Sequence, residues 1–286
     1  MKIETKPLSP GLYLVSTPIG SARDITLRAL DVLASADLIA AEDTRTARKL
    51  MEIHGVPLAG RPVIAHHDHS GDTGVQGLIA LMREGKSLAY VSEAGTPMIA
   101  DPGFELGRAA IAEGLSVIAV PGASAAVTAL TVSGLPTDRF HFVGFLPASN
   151  AQRESELAEL RNVAATLVFY ESPKRVDEML RCAAEILGGN RPAAICRELT
   201  KKFEEVRRGT LETLVADLDD LKHKGEFVVL VGRAEEETVS EADVTTALEE
   251  ALLTMRVKDA ATAVAGAMGL PRRQVYQVAL SLSKKQ

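Results

Sequence analysis

Residues 11–20 read GLYLVSTPIG, and their order sets how the rest of the chain is read: a run able to fill a buried strand, then a turn built from Thr17, Pro18 and Gly20. The same arrangement recurs at 87–97, SLAYVSEAGTP, and at 116–124, SVIAVPGAS. Short apolar runs without the polar alternation of a half-solvated sheet suit strands covered on both faces. Working outward, strands fall over 11–17, 37–42, 63–67, 87–93 and 116–121, and helices over 25–35, 46–54, 74–84 and 104–113. Strand alternating with helix predicts a parallel α/β sheet.

After Gly134-Leu135-Pro136 a second sheet begins, with strands over 139–145, 166–171, 193–199, 204–209 and 227–232 and helices over 153–161, 174–187 and 211–221. Its order reads as mixed. Glu235-Glu236-Glu237 forms a polar bridge, and 241–283 is helical throughout. Within it 260–268, Gly269-Leu270-Pro271 and 272–282 read as helix, turn, helix, with Pro271 starting the second helix. The same pattern suits a helical hairpin that only packs, but Arg272 and Arg273 stand where recognition helices touch nucleic acid. The expected domains are therefore 1–122, 123–235 and 240–286.

Composition narrows the classes. With 286 residues, 46% hydrophobic and 24% charged, the chain is neither disordered nor fibrous. Two cysteines, Cys182 and Cys196, supply neither a disulfide framework nor a four-thiolate metal site. No signal peptide is expected at Met1, and a reducing cytoplasm is. The uncharged stretch 115–135 has the length of a membrane span, but Pro121-Gly122 breaks it and Ser116, Ser124, Thr128, Thr131 and Ser133 interleave it. It reads as strand, turn, helix, and no membrane is implied. The net charge of −6 argues against a generic nucleic-acid binder. The last 33 residues nevertheless hold six basic side chains and one acid, leaving 26 basic and 37 acidic upstream. That asymmetry suits a tail that touches phosphate, as it also suits a solvated helical face.

In an open α/β sheet ligands gather at the carboxyl ends of strands. There the chain places Thr17-Pro18-Ile19-Gly20-Ser21, Ser92-Glu93-Ala94-Gly95-Thr96-Pro97 continuing to Asp101-Pro102-Gly103, and Pro121-Gly122-Ala123-Ser124. Glycine permits close backbone approach and proline stiffens the loop, so the three together make a main-chain cradle. Neither a G-x-G-x-x-G after the first strand nor a P-loop is present, which disfavours a ligand led by pyrophosphate. His66-His67-Asp68-His69 invites a metal, yet neighbours on a strand point to opposite faces, and no metal is expected. Asp43 in Glu42-Asp43-Thr44-Arg45 suits a helix N-cap or a reach over the cleft toward substrate. Phe169-Tyr170-Glu171-Ser172-Pro173-Lys174-Arg175 and Cys196-Arg197-Glu198-Leu199-Thr200-Lys201 each end a strand in acid and base together. Such clusters serve either as surface ion pairs or as a basic rim for a polyanion beside acids that work on a nucleophile.

Taken in order, these blocks, with Asp24-Ile25-Thr26, Gly134-Leu135-Pro136-Thr137-Asp138-Arg139-Phe140 and Gly144-Phe145-Leu146-Pro147, resemble the ribosomal RNA small subunit methyltransferase I family of the tetrapyrrole-methylase superfamily. The likeness runs from Gly11 to about Arg233. It implies an α/β fold of two domains, the class III methyltransferase fold, with a small helical segment at the end. It further implies S-adenosyl-L-methionine in the cleft between them, a homodimer, and 2′-O-methylation of a cytidine in the decoding region of 16S ribosomal RNA, with the small subunit as partner. The family usually has aspartate where this chain has Glu93, so the acid is kept but reaches one methylene further.

Under that resemblance the cofactor side comprises Pro18, Ile19, Gly20, Ser92, Glu93, Ala94, Gly95, Thr96, Pro97, Gly122, Ala123, Ser124, Tyr170, Leu199 and Thr200. Asp43, Glu171 and Glu198 are the candidate catalytic acids. Arg23, Arg45, Lys174, Arg175, Arg197, Lys201, Arg272 and Arg273 are the candidate RNA contacts. Two other functions use parts of the same features. A precorrin-type methyltransferase shares fold and cofactor but has no use for the basic tail, and a non-catalytic RNA-binding or assembly factor needs no glycine-proline cradle.

Overall fold

The protein is described from a computed structural model covering residues 3–66, 71–100, 103–234 and 241–283. It divides into two compact units, 1–234 and 235–286. The first unit holds two sheets.

The first sheet comprises β1 (Gly11–Val15), β2 (Leu38–Ala41), β3 (Val63–Ala65), β4 (Ser87–Val91) and β5 (Val117–Val120), in the order β3-β2-β4-β1-β5 with every pair parallel. Successive residues face opposite layers. Tyr13, Val15, Ile39, Ala41, Ala89 and Val91 pack under α1 (Leu27–Ser35) and α2 (Thr44–Ile53), whose Leu30, Leu33, Ala47 and Met51 complete that core. Leu12, Leu38, Ala40, Leu88 and Tyr90 pack on the other face against α3 (Gly71–Arg83) and α4 (Phe104–Ala112) through Leu78, Ile79, Met82 and Leu106. Burial on both faces of β1, β2 and β4 explains their near-continuous apolar runs. The Thr26 side chain caps α1 by accepting from the Ala29 amide at 3.1 Å.

The second sheet comprises β6 (Phe140–Phe145), β7 (Thr166–Glu171), β8 (Pro192–Arg197), β9 (Glu205–Thr210) and β10 (Phe227–Val231), in the order β6-β7-β10-β8-β9. Only β6 and β7 are parallel. Leu167, Phe169, Ile195, Phe227 and Val229 face α6 (Asn150–Leu160), α7 (Val176–Leu187) and α8 (Leu211–Ala216). Val168, Ala194, Cys196, Val228 and Leu230 face α5 (Ala125–Ser133), whose Ala126, Ala129 and Leu130 join them with Ile19 from the first sheet's side. The α5 helix ends on Gly134 in the left-handed conformation, and Arg208 of β9 donates to its Val132 carbonyl at 2.9 Å.

The second unit is built from α9 (Glu241–Leu252), α10 (Val257–Met268) and α11 (Arg272–Ser283) around Val244, Leu248, Ala260, Val264, Val275 and Ala279. Gly269, at φ +63°, terminates α10 just ahead of Pro271.

The sequence reading differs from this structure mainly at element ends. The last helix of the second sheet, expected over 211–221, stops at Ala216 and resumes as a 3-10 turn at Leu218–Asp220. The fourth strand stops at Val91 rather than 93, because residues 92–100 leave the sheet to cross over the first strand's loop. Residues 115–135 resolve into β5, a turn and α5, and among the described residues no helix is long and apolar enough to cross a membrane. His67, Asp68, His69, Asp101, Pro102, residues 235–240, Lys284 and Lys285 lie outside the described residues.

Gly11 makes the centre of the first sheet sensitive. At φ +142° a Cβ there would sit 2.5 Å from the Ser116 carbonyl oxygen, which accepts from the Leu12 amide at 2.8 Å. Gly11→Ala is expected to cost about 2 kcal/mol through strain and a parted β1–β5 start. Urea unfolding midpoints check this; an unchanged midpoint would show that the two strands separate freely.

Candidate active site

The strand order places β1 between β4 and β5, so the three glycine-bearing loops that follow those strands lie side by side. They are tied together. The Thr17 amide donates to the Gly95 carbonyl at 2.8 Å, and the Gly95 amide returns to the Thr17 carbonyl at 3.1 Å. The Ser16 hydroxyl donates to Thr96 Oγ1 at 3.2 Å, and Thr96 Oγ1 donates to the Ala123 carbonyl at 3.0 Å. Gly122 is close against this junction: a Cβ there would lie 2.8 Å from that of Ser16.

The first loop also reaches the second sheet. The Ser21 amide donates to Thr200 Oγ1 at 3.0 Å. A side chain at Gly20 would meet Thr200 Oγ1 at 2.6 Å and the Leu199 carbonyl at 2.8 Å. Strained backbone gathers on both sides: Met98 (φ 71°) and Ala100 (φ 56°) in one loop, Glu198 (φ 52°) and Thr200 (φ 63°) in the other.

Between the loops and the second sheet lies a cleft of about 340 Å³. Of the expected cofactor-side residues, Ile19, Ala94, Gly95, Thr96, Ser124 and Tyr170 line it. Pro18, Gly20, Gly122, Ala123, Leu199 and Thr200 are not among its lining residues, and Ser92 turns its hydroxyl to the Ala94 carbonyl at 3.3 Å. Pro97 is buried, whereas Glu93 is exposed and its amide donates to the Glu42 carboxylate at 3.1 Å. Tyr170 is held by the Ala126 amide, which donates to its hydroxyl at 3.2 Å.

The lining also includes residues outside the expected site set: Ile99, Ala100, Ala125, Phe145, Ser172, Pro173 and 225–228. Residues 225–228 lead into and begin β10. Looking only at strand carboxyl ends misses them, since β10 runs antiparallel to β7 and β8 and brings its amino end to the same edge. Gly225 there has φ +95°, and a Cβ on it would overlap the Glu198 carboxyl group at 2.3 Å.

The candidate acids fall into different surroundings. Asp43 caps α2, accepting from the Arg45 amide at 2.7 Å while its carboxylate meets the Arg45 guanidinium at 2.8 Å. The Arg45 side chain, with its amide, holds the Asp43 carboxyl down at about 2. Glu198 is held by Lys201 Nζ at 2.8 Å and the Glu226 amide at 3.1 Å. Burial raises its carboxyl, but these donors and the neighbouring Lys201 and Arg197 charges outweigh it, so its pKa is lowered. Glu171 lines the cleft and is buried. Its Oε1 accepts from the Ser172 amide at 2.7 Å, while Oε2 lies 3.5 Å from the Arg175 guanidinium and accepts no hydrogen bond.

The candidate cations separate likewise. Arg23, Arg45 and Lys174 are exposed, as are Arg272 and Arg273 at the start of α11. Arg175 donates to the Leu146 and Pro147 carbonyls at 2.6 and 2.9 Å. Arg197 is buried and bonded to Glu205 and to the Lys224 carbonyl, both at 3.1 Å, and Lys201 bridges Glu198 and Glu226. Behind the cleft wall, burial pushes the Cys196 thiol up to about 12. His66, also buried, sets its ring edge-on to Tyr90 at 5.9 Å.

Residues 11–215 match the family described as Tetrapyrrole (Corrin/Porphyrin) Methylases, and residues 238–283 match the RsmI C-terminal HTH domain. Ribosomal RNA small subunit methyltransferase I of Mesorhizobium japonicum is 46% identical over 98% of this chain and 95% of its own. The protein of that name in Halalkalibacterium halodurans is 45% identical over 93% of each. Among solved structures, a cobalt precorrin-4 methyltransferase of cobalamin biosynthesis has a TM-score of 0.59 at 18% identity, over 77% of this chain and 94% of that one. Uroporphyrin-III C-methyltransferase from Thermus thermophilus, complexed with S-adenyl homocysteine, has a TM-score of 0.56 at 20% identity, over 78% and 97%. The two solved structures share the fold.

Removing the Arg45 side chain by Arg45→Ala is expected to raise the Asp43 pKa from about 2 toward its ordinary 3.8, as followed by carboxyl NMR titration. Because the folded pKa is the depressed one, the stabilisation from this carboxylate is present above the unfolded pKa and is lost as pH falls toward 2. A titration unmoved by Arg45→Ala would assign the depression to the helix N-terminus instead.

Proposed function

Because the chain belongs to the tetrapyrrole methylases, and within them to the ribosomal RNA small subunit methyltransferase I family, we propose that it methylates the ribose 2′-hydroxyl of a cytidine in the decoding region of 16S ribosomal RNA, using S-adenosylmethionine. The observation that carries the reading is the chemistry of the cleft. Its walls are apolar at Ile19, Ala94, Ile99, Phe145 and Val228, and among the described residues its charged lining is Glu171 and Glu226, with neither Lys nor Arg. Such a lining suits a cationic sulfonium and disfavours a phosphate. Thr17 Oγ1, buried without a hydrogen-bond partner beside Gly95, leaves a polar group for a ligand in the same cradle.

When bound, S-adenosylmethionine supplies an electrophilic methyl carbon. The protein's own part is alignment and proton removal. The 17–20, 94–97 and 122–124 loops and Tyr170 hold the donor's place in a largely apolar cleft. Glu171 is the general base: its unsatisfied Oε2 takes the 2′-hydroxyl proton, and Arg175 keeps that oxygen oriented. Asp43 and Glu198 hold cations rather than take a proton, since each accepts a 2.8 Å hydrogen bond from its cationic partner, whereas Glu171 Oε2 accepts none. Arg23, Arg45 and Lys174 grip backbone phosphates, Arg175, Arg197 and Lys201 brace the loops behind them, and Arg272 and Arg273 of the helical unit add RNA contacts. We include in the proposal work as a homodimer in the cytoplasm, the dimer being read by light scattering.

Labelled S-adenosylmethionine incubated with small subunits or with a tetrapyrrole decides the substrate: label is expected in 16S RNA, and label in the tetrapyrrole would overturn the reading. Glu171→Gln is expected to lower kcat by about 10²- to 10⁴-fold with little change in cofactor affinity. Arg45→Ala and Lys174→Ala are each expected to raise the KM for small subunits roughly tenfold, with calorimetric cofactor affinity unchanged. Equal losses in both would refute the division of roles.

A further inference from the structure

The β6 strand does not pair evenly with β7. Phe142 stands opposite Val168, the register then shifts, and Phe145 stands opposite Tyr170. Gly144, at φ +78°, permits the bulge. Its consequence follows from the two-residue period of a strand. Val143 packs into the core under α6 and α7, and unbroken alternation would send Phe145 to that same face. The bulge instead turns Phe145 to the face of Phe142 and Tyr170, where it lines the cleft.

There the ring is only partly covered. Phe145 is edge-on to Tyr170 with centroids 5.7 Å apart, and Tyr170 is edge-on to Phe142 at 5.0 Å. Tyr170 is fixed from behind, whereas Phe145 is 54% exposed. On the opposite wall Ile99 is 41% exposed, carried by a loop whose two neighbours, Met98 and Ala100, have left-handed backbone. The two segments approach each other beside these side chains, since a Cβ on Gly144 would lie 3.9 Å from that of Ala100. A strained loop and a bulged strand thus present one aliphatic and one aromatic face across the outer part of the cleft.

We propose that Phe145 and Ile99 clamp the target nucleobase, Phe145 by stacking on its π face, while its ribose reaches the inner cleft. This deepens the reaction read above and rests on it. A base inside a helix or stack cannot offer its sugar to a narrow cleft, and an aromatic face offsets the stacking lost when it turns out. The donor already has the inner ring, Tyr170, and the outer ring is left for the second reactant.

Four variants of the full-length protein test this: F145A, F145L, F145W and I99A. The readouts are kcat and KM on small subunits and calorimetric affinity for S-adenosylmethionine. F145A and F145L are expected to lose about 10- to 100-fold in kcat/KM with cofactor affinity within about threefold, the size of one base–aromatic stack. F145W is expected to keep most activity, and I99A to lose less than F145A. The leucine variant matters because it keeps bulk and apolar surface and removes only the π face. If F145A and F145L lose cofactor affinity and kcat/KM alike, Phe145 covers the donor and the clamp is wrong. If both variants methylate RNA as well as wild type, the clamp is wrong while the reaction stands. Wild-type protein that labels no RNA would bring down both.

Discussion

The reciprocal backbone pair between Thr17 and Gly95 is the constraint on which the site depends. It exists only because β1, the first strand, is inserted between β4 and β5, so that loops distant in sequence leave the sheet as neighbours. Backbone groups at such a junction must find partners, and here they find each other and the Ser16, Thr96 and Ala123 relay. The glycines are necessary for that closeness: at Gly122 and Gly20 a methyl group would occupy space already taken by Ser16 and by residues 199–201. The first sheet thereby offers a rigid half-cradle, and the same Gly20 turn docks it on the second sheet through Thr200.

How much was legible in the sequence follows from what each signal depends on. The strands of the first sheet were legible because burial on both faces writes continuous apolar runs, and the 115–135 stretch was divided correctly at Pro121-Gly122. The three loops of the cradle were found because parallel strands end at one edge. Of the opposite wall, Tyr170 and Glu171 were found at the end of β7, but the parts at the start of an antiparallel strand near Gly225 and at the bulge at Gly144 were not assigned to the site, because neither direction nor register is written locally. The separate surroundings of Asp43, Glu171 and Glu198 also needed three dimensions, since each sits in a similar acid-and-base cluster in the sequence.

Charge is sorted by depth in this unit. Arg175, Arg197 and Lys201 at the strand ends are engaged by carboxylates or carbonyls, whereas the cleft itself has acids and, among the described residues, no cation in its lining. Partly buried pairs of this kind add little net stability, because desolvation offsets attraction. Their effect is geometric: Lys201 joins Glu198 to Glu226 and so joins the 198–201 loop to the start of β10.

One buried side chain has a meaning that only the proposed chemistry reveals. Cys196 lies in the apolar layer shared with Ile19, Leu199 and Val228, and burial holds its thiol protonated by pushing it up to about 12. Sulfur reacts with electrophiles as thiolate, and a sulfonium donor is an alkylating agent. Packing against Ile19, Leu199 and Val228 therefore disfavours the Cys196 thiolate, the form in which a sulfur this close to the cleft wall would attack an alkylating donor.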